Sequence, residues 1–171
     1  PLKDRATVDA AHRLAMLELA VADLQGIAVD ARELGRPGPS YTVDTLEGLR
    51  HEYGAERSLV WIMGADILAT LPRWSRWRAL LDFGHVVVIG RPDAEPHPSE
   101  VSDWLSEHKV DKAGLLSRPG GGVFTLAQPL LDISSSDIRT MIAEGRDPRF
   151  LLPDGVMEYI SNHALFSRDL V

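Results

Sequence analysis

The sequence predicts an α/β fold, a doubly wound parallel sheet with helices on both faces, and three observations predict it. Uninterrupted apolar runs stop at glycine, as in Leu59-Val60-Trp61-Ile62-Met63 before Gly64 and His85-Val86-Val87-Val88-Ile89 before Gly90. Such runs suit strands buried on both faces, the condition of a parallel sheet. Segments with apolar residues at steps of three and four alternate with these runs, and no internal repeat is present.

In chain order, Ala10, Leu14, Leu17, Val21 and Leu24 mark a helix between Ala6 and Leu24, packed on that stripe and closed by Gly26. Ile27-Ala28-Val29 reads as a short strand, followed by a Gly/Pro loop from Gly35 to Pro39. Val43, Leu46, Leu49 and Tyr53 give a second helix, ended by Gly54. The two apolar runs quoted above are the next strands. Between them Trp74 to Leu81 is expected to form a short helix that turns Trp77, Leu80 and Leu81 inward. Arg91 to Pro98 is turn-rich, and a helix follows around Val101, Trp104, Leu105 and His108. Arg118-Pro119-Gly120-Gly121-Gly122 looks like a flexible linker leading into a last strand, Val123 to Ala127. Helices from Ser136 to about Glu144 and from Asp154 to about His163 complete the chain.

Composition narrows the function classes. A chain of 171 residues with 44% hydrophobic content supports one domain spanning residues 1–171. Its net charge of −7 argues against a nucleic-acid partner, which would call for a basic stripe. The absence of cysteine excludes disulfides, thiolate metal sites and a cysteine nucleophile. No apolar stretch is long enough to span a membrane and no signal-peptide pattern is present, so a cytoplasmic setting with no membrane partner is expected. Association into a homo-oligomer stays open.

The residues that carry chemistry cluster at predicted strand ends and helix starts. Ser134-Ser135-Ser136-Asp137-Ile138-Arg139 follows the last strand. Ser134 with Asp137 three positions on has the form of a capping box, which by itself describes a well-capped helix. Three hydroxyls, free backbone N–H groups, the positive end of a helix dipole and the Arg139 guanidinium are also what a polyphosphate requires. In Ser40-Tyr41-Thr42-Val43-Asp44-Thr45, Ser40 or Thr42 can cap the second helix, and Asp44 suits its first turn. Asp66, just past Gly64, is equally a helix cap or a partner for a ribose hydroxyl. Trp74 after Pro72 is a packing residue or an aromatic platform.

These segments together resemble the bacterial nicotinate mononucleotide adenylyltransferases of the nucleotidyltransferase superfamily. Ile133 to Arg139 is similar to the superfamily signature I-S-S-T-x-I-R, with Ser136 in place of Thr. Ser40 to Leu46 resembles S-Y-T-x-D-T-L, Gly64-Ala65-Asp66 resembles G-x-D, Pro72-Arg73-Trp74 resembles P-x-W, and Arg91-Pro92 resembles R-P-x. Pro1-Leu2-Lys3 resembles the end of a P-P-x-[KR] loop, and Arg13 with Met16 fits R-x-x-M. Leu151 to Ile160 is similar to the closing L-x-P-x-x-V-x-x-Y-I helix.

The resemblance implies a Rossmann-like fold and transfer of an adenylyl group from ATP to nicotinate mononucleotide, with release of pyrophosphate and Mg²⁺ as the expected accompanying ion. It implies that Lys3, Ser134, Ser135, Ser136 and Arg139 bind ATP, Arg139 being the catalytic candidate. Thr42, Asp66, Trp74, Ser75 and Arg91 would bind the mononucleotide, with Trp74 stacked on the pyridine ring and Ser75 supplying a backbone amide. Nicotinate is expected to be preferred over nicotinamide, since backbone amides favour a carboxylate. None of the six histidines, His12, His51, His85, His97, His108 and His163, has the spacing of the family's G-x-F-D-P-x-H-x-G-H turn. The first strand, first helix and second strand of the pattern are accordingly expected to lie before Pro1. Two alternatives remain, another superfamily transferase such as one acting on phosphopantetheine, and a non-catalytic nucleotide-binding module.

Overall fold

The computed structural model describes residues 8–90, 97–127, 131 and 133–167. The described residues fall into two compact units, one from 38–130 and one from 1–37 together with 131–171.

The 38–130 unit is built on three parallel strands in the order β1-β2-β3: β1 Val60–Gly64, β2 His85–Ile89 and β3 Val123–Leu126. Trp61 pairs with Val86 and Met63 with Val88, while Val86 pairs with Val123. Because partners in register share a face, this puts Trp61, Met63, Val86, Val88 and Val123 on one side. Against that side pack Val43 and Leu46 of α2 (Thr42–Tyr53), Leu80 and Leu81 of α3 (Leu80–Phe83), and Val101 and Trp104 of α4 (Ser99–Glu107). Leu80, Val86 and Val101 are fully buried. Each such side chain contributes about 1.5–3 kcal/mol by leaving water.

Only β2 meets the expectation of burial on both faces. Val60 and Ile62 of β1 are 43% and 60% exposed, since they point to the face opposite the one packed by α2, α3 and α4. The expected helix from Trp74 to Leu81 is also corrected. Two 3₁₀ turns, Leu71–Arg73 and Trp77–Ala79, flank an extended Trp74 and a left-handed Arg76 at φ 48°, and regular helix begins only at Leu80. Trp77, Leu80 and Leu81 do turn inward as the pattern required.

The Arg118–Gly122 segment is closely packed where a flexible linker was expected. A side chain on Gly120 would meet the Gly84 backbone at 3.0 Å, and one on Gly122 would meet Val110 at 2.7 Å. Gly120 serves close approach of backbone to backbone, and Gly122 leaves room for the Val110 and His85 side chains. Gly122 N–H donates to Nδ1 of the fully buried His85, whose Nε2 donates to Arg118 C=O. Arg50 adds donors to the carbonyls of Phe83, Gly54, Arg57 and Pro119. A further helix, α5 (Lys112–Ser117), was not anticipated, although Asp111 caps it by accepting from Gly114 N–H at 2.8 Å.

The other unit is helical. It contains α1 (Ala10–Val21), α6 (Ser135–Ala143) and α7 (Asp154–Asn162). Its core centres on Val156, Ile160 and Leu165, with Met16, Ala20, Ile142 and Phe166 packed around them. The predicted stripe of α1 is corrected: no residue of α1 is buried, and Leu17 is 54% exposed. The face that packs carries Met16 and Ala20, and His12 on the same side bonds Tyr159 Oη at 2.9 Å. Ile27-Ala28-Val29 forms no strand, and Ile27 is 56% exposed.

Candidate functional site

Within the 38–130 unit, the sequence candidates sit where strands and helices change over. Gly64 ends β1, and Asp66 lies in the first turn of the 3₁₀ segment Ala65–Ala69. The Asp66 carboxylate folds back over Gly64 so closely that a Cβ on Gly64 would stand 2.3 Å from Oδ1. A side chain at 64 would displace the Asp66 carboxylate from this position, although the backbone φ of −75° is open to any residue. Asp66 is not the N-cap expected as one alternative, since the 3₁₀ segment starts at Ala65 with Gly64 at its cap.

Thr42 is the first residue of α2, and Tyr41 occupies the N-cap without a side-chain bond. Capping by Ser40 or Thr42 is thereby corrected. Asp44 and Thr45 N–H both turn to Tyr41 C=O, whereas the N–H groups of Thr42 and Val43 have no acceptor among the described residues. Two free donors at a helix start attract an anion. Trp74 is half-buried, with part of its indole against the core cluster and part accessible, and Ser75 beside it is exposed.

Arg76, which the sequence reading passed over, completes this group. Its Nη2 donates to Asp44 Oδ1 at 2.5 Å and to Glu47 Oε2 at 3.3 Å. The bond to Asp44 first, and that to Glu47 second, raise the guanidinium above its ordinary pKa. The only sequence signal was an acid pair one turn apart on α2, and it named no partner.

In the helical unit, Ser134 is the N-cap of α6 and forms one half of the expected capping box, the Asp137 carboxylate bonding the Ser134 hydroxyl and not its backbone N–H. Its Oγ accepts from Asp137 N–H at 3.1 Å and donates to Asp137 Oδ2 at 2.5 Å. Holding the acid in this way leaves the next donors of the turn to Ser135 and Ser136. Arg139 half-buries its side chain one turn on, and its Nη2 donates to Ser136 Oγ at 2.9 Å. Ser135 and Arg139 open onto a cavity of about 440 Å³, walled by Met16, Ile138 and Phe166 and bordered by Arg13. Neither Arg13 nor Arg139 meets a carboxylate among the described residues, whereas Arg32, Arg78, Arg146 and Arg149 each do. Lys3 and Arg91 lie outside the described residues. Among those residues, no group of three or more His, Asp or Glu could hold a metal ion, and no helix is long and apolar enough to cross a membrane.

A cytidylyltransferase-like family model matches residues 1–141. A Pseudomonas paraeruginosa protein named as a probable nicotinate-nucleotide adenylyltransferase is 44% identical over 167 residues, covering 97% of this chain and 78% of that protein. The chain belongs to the nicotinate-nucleotide adenylyltransferase family. A second member, from Aeromonas salmonicida and named in the same way, is 44% identical over 160 residues, covering 92% of this chain and 74% of its own. The fold agrees with that of a Plasmodium falciparum nicotinic acid mononucleotide adenylyltransferase solved with NaAD. The TM-score is 0.63 at 18% identity, over 96% of this chain and 77% of that one. The expected α/β class is thus the family's, with the parallel sheet flanked by helices.

Proposed function

We propose that this nicotinate-nucleotide adenylyltransferase transfers the adenylyl group of ATP to nicotinate mononucleotide through two residue sets, one for each substrate. Family membership carries the reaction. The observation that carries the residue assignment is Arg139, a guanidinium with no carboxylate partner among the described residues, at the start of a capped helix beside Ser135 and Ser136. In an acidic chain, a cation left in that setting is suited to a polyanion.

Ser134, Ser135, Ser136 and Arg139 are assigned to ATP, with Lys3 added from the family pattern. Thr42, Asp66, Trp74, Ser75 and Arg91 are assigned to the mononucleotide. The accessible part of the Trp74 indole offers a face for the pyridine ring, the free N–H groups at Thr42 and Val43 suit an anionic substituent or phosphate, and Asp66 suits a ribose hydroxyl. A phosphate oxygen of the mononucleotide forms a bond to the α-phosphorus of ATP as the bond to the β-phosphate oxygen breaks and pyrophosphate leaves. A phosphate monoester is already nucleophilic at neutral pH, so positioning and neutralisation of charge set the rate. Arg139 supplies that neutralisation. Mg²⁺ would travel on the triphosphate, where an ion held largely by phosphates needs no protein cage, and would spread the charge of the leaving pyrophosphate.

The two units together are proposed as one nucleotidyltransferase domain, in keeping with a family match that runs through residues of both. Cytoplasmic residence is proposed from the reaction and the lack of cysteine. The test is pyrophosphate release by the full-length protein with ATP and either nicotinate or nicotinamide mononucleotide. Release with a higher kcat/KM for nicotinate is expected. No release overturns the reaction, and equal efficiency overturns the carboxylate preference.

A further inference from the structure

The left-handed turn after Trp74 is held by a side chain that neither the family motifs nor the reaction assigns. Arg76 has φ 48° and ψ 37°, a conformation glycine adopts freely and a branched side chain resists. The position carries arginine, and its guanidinium crosses from residue 76 to two carboxylates on the first turns of α2, Asp44 and Glu47. Exposed ion pairs of this kind add little to stability. Arg146 with Glu144 and Arg149 with Asp147 join residues only two apart, and Arg78 with Glu100 joins residues 22 apart, whereas the bond from Arg76 to Asp44 spans 32 positions and starts from a left-handed residue.

We propose that Arg76 is a positioning residue, whose clamp onto Asp44 and Glu47 holds Trp74 and Ser75 in a fixed relation to the start of α2 and so to Thr42. The mononucleotide then meets a preformed subsite, and its binding need not supply the ordering of the Trp74–Arg76 turn. The proposal rests on the assignment of Thr42, Trp74 and Ser75 to the mononucleotide. It also gives Asp44 a role that its place near a helix start does not require. Arg76 itself touches no substrate, so its loss should weaken ground-state and transition-state binding of the mononucleotide alike, leaving turnover at saturation unchanged.

Steady-state kinetics of the full-length protein with ATP and nicotinate mononucleotide test this. Arg76→Ala and Arg76→Gly are each expected to raise KM for the mononucleotide about tenfold, with kcat and KM for ATP within about twofold of the parent. Arg76→Lys, which keeps a charge at the same reach, should recover part of the loss. Unchanged KM for the mononucleotide in both variants overturns the proposal. So does a rise in both KM values together with a lowered melting point, since that is the mark of general loosening. Trp74→Ala separates the two levels of the argument. If it raises KM for the mononucleotide while Arg76→Ala does not, the clamp alone fails; if it leaves that KM unchanged, the subsite assignment fails and the clamp with it.

Discussion

The sheet-bearing unit and the helical unit hold their candidate functional residues by different means. Among the described residues, the 38–130 unit buries thirteen apolar side chains in one cluster, and the helical unit buries three. In the first, Trp74 packs against that cluster, and the Asp66 carboxylate folds back over Gly64 at the end of β1. In the second, Ser134, Ser136 and Arg139 are set by bonds within one turn of α6, at the edge of an apolar cavity. A site held by the core should couple to stability when disturbed, and one held by local capping should couple to turnover.

The largest expected effect tests the core side of that contrast. Leu80→Ala removes a fully buried side chain beside the 71–79 segment and should cost about 2–5 kcal/mol in urea unfolding. Leu17→Ala, at a position 54% exposed on α1, should stay within about 0.5 kcal/mol. Similar losses from the two would erase the contrast.

The second effect tests the other side. Arg139→Ala should cost about 2–4 kcal/mol in transition-state stabilisation, read as a fall in kcat of roughly thirtyfold to a thousandfold. Its melting temperature should stay near the parent's, because Arg139 bonds only Ser136 Oγ among the described residues. Near-normal turnover would remove Arg139 from the catalytic role, and a melting temperature that falls with kcat would show that α6 depends on it for structure.

How legible each unit was follows from the same contrast. Local rules reached the start of α6: the Ser134 cap on Asp137 N–H, the helix it starts, and Arg139 one turn on stand as the residue pattern required. Local rules also found β2, whose five residues run from His85 to Ile89 as read. They failed where tertiary contacts decide. The Arg118–Gly122 glycines read as a flexible linker because sequence does not show Gly84 and Val110 pressing on them. Trp74 to Leu81 read as one helix because helical spacing cannot show the left-handed turn at Arg76, whose partners Asp44 and Glu47 lie some thirty residues away. Burial on both faces failed for β1, since an apolar run does not show which elements cover each face of its strand.

The smallest effect asks whether a residue that belongs to the helix can also belong to the ligand. Ser134 Oγ serves Asp137 N–H, and its loss in Ser134→Ala should lower stability by about 1 kcal/mol. Asparagine caps as well as serine, so Ser134→Asn should restore the unfolding midpoint. An amide group is larger than a hydroxyl and would crowd a phosphate at this turn. If Ser134 also contacts ATP, Ser134→Asn will regain stability while keeping a raised KM for ATP. Recovery of both would confine Ser134 to the cap and leave Ser135, Ser136 and Arg139 as the nucleotide's partners on α6, which would make the local bonds of that helix a support for the site rather than part of it.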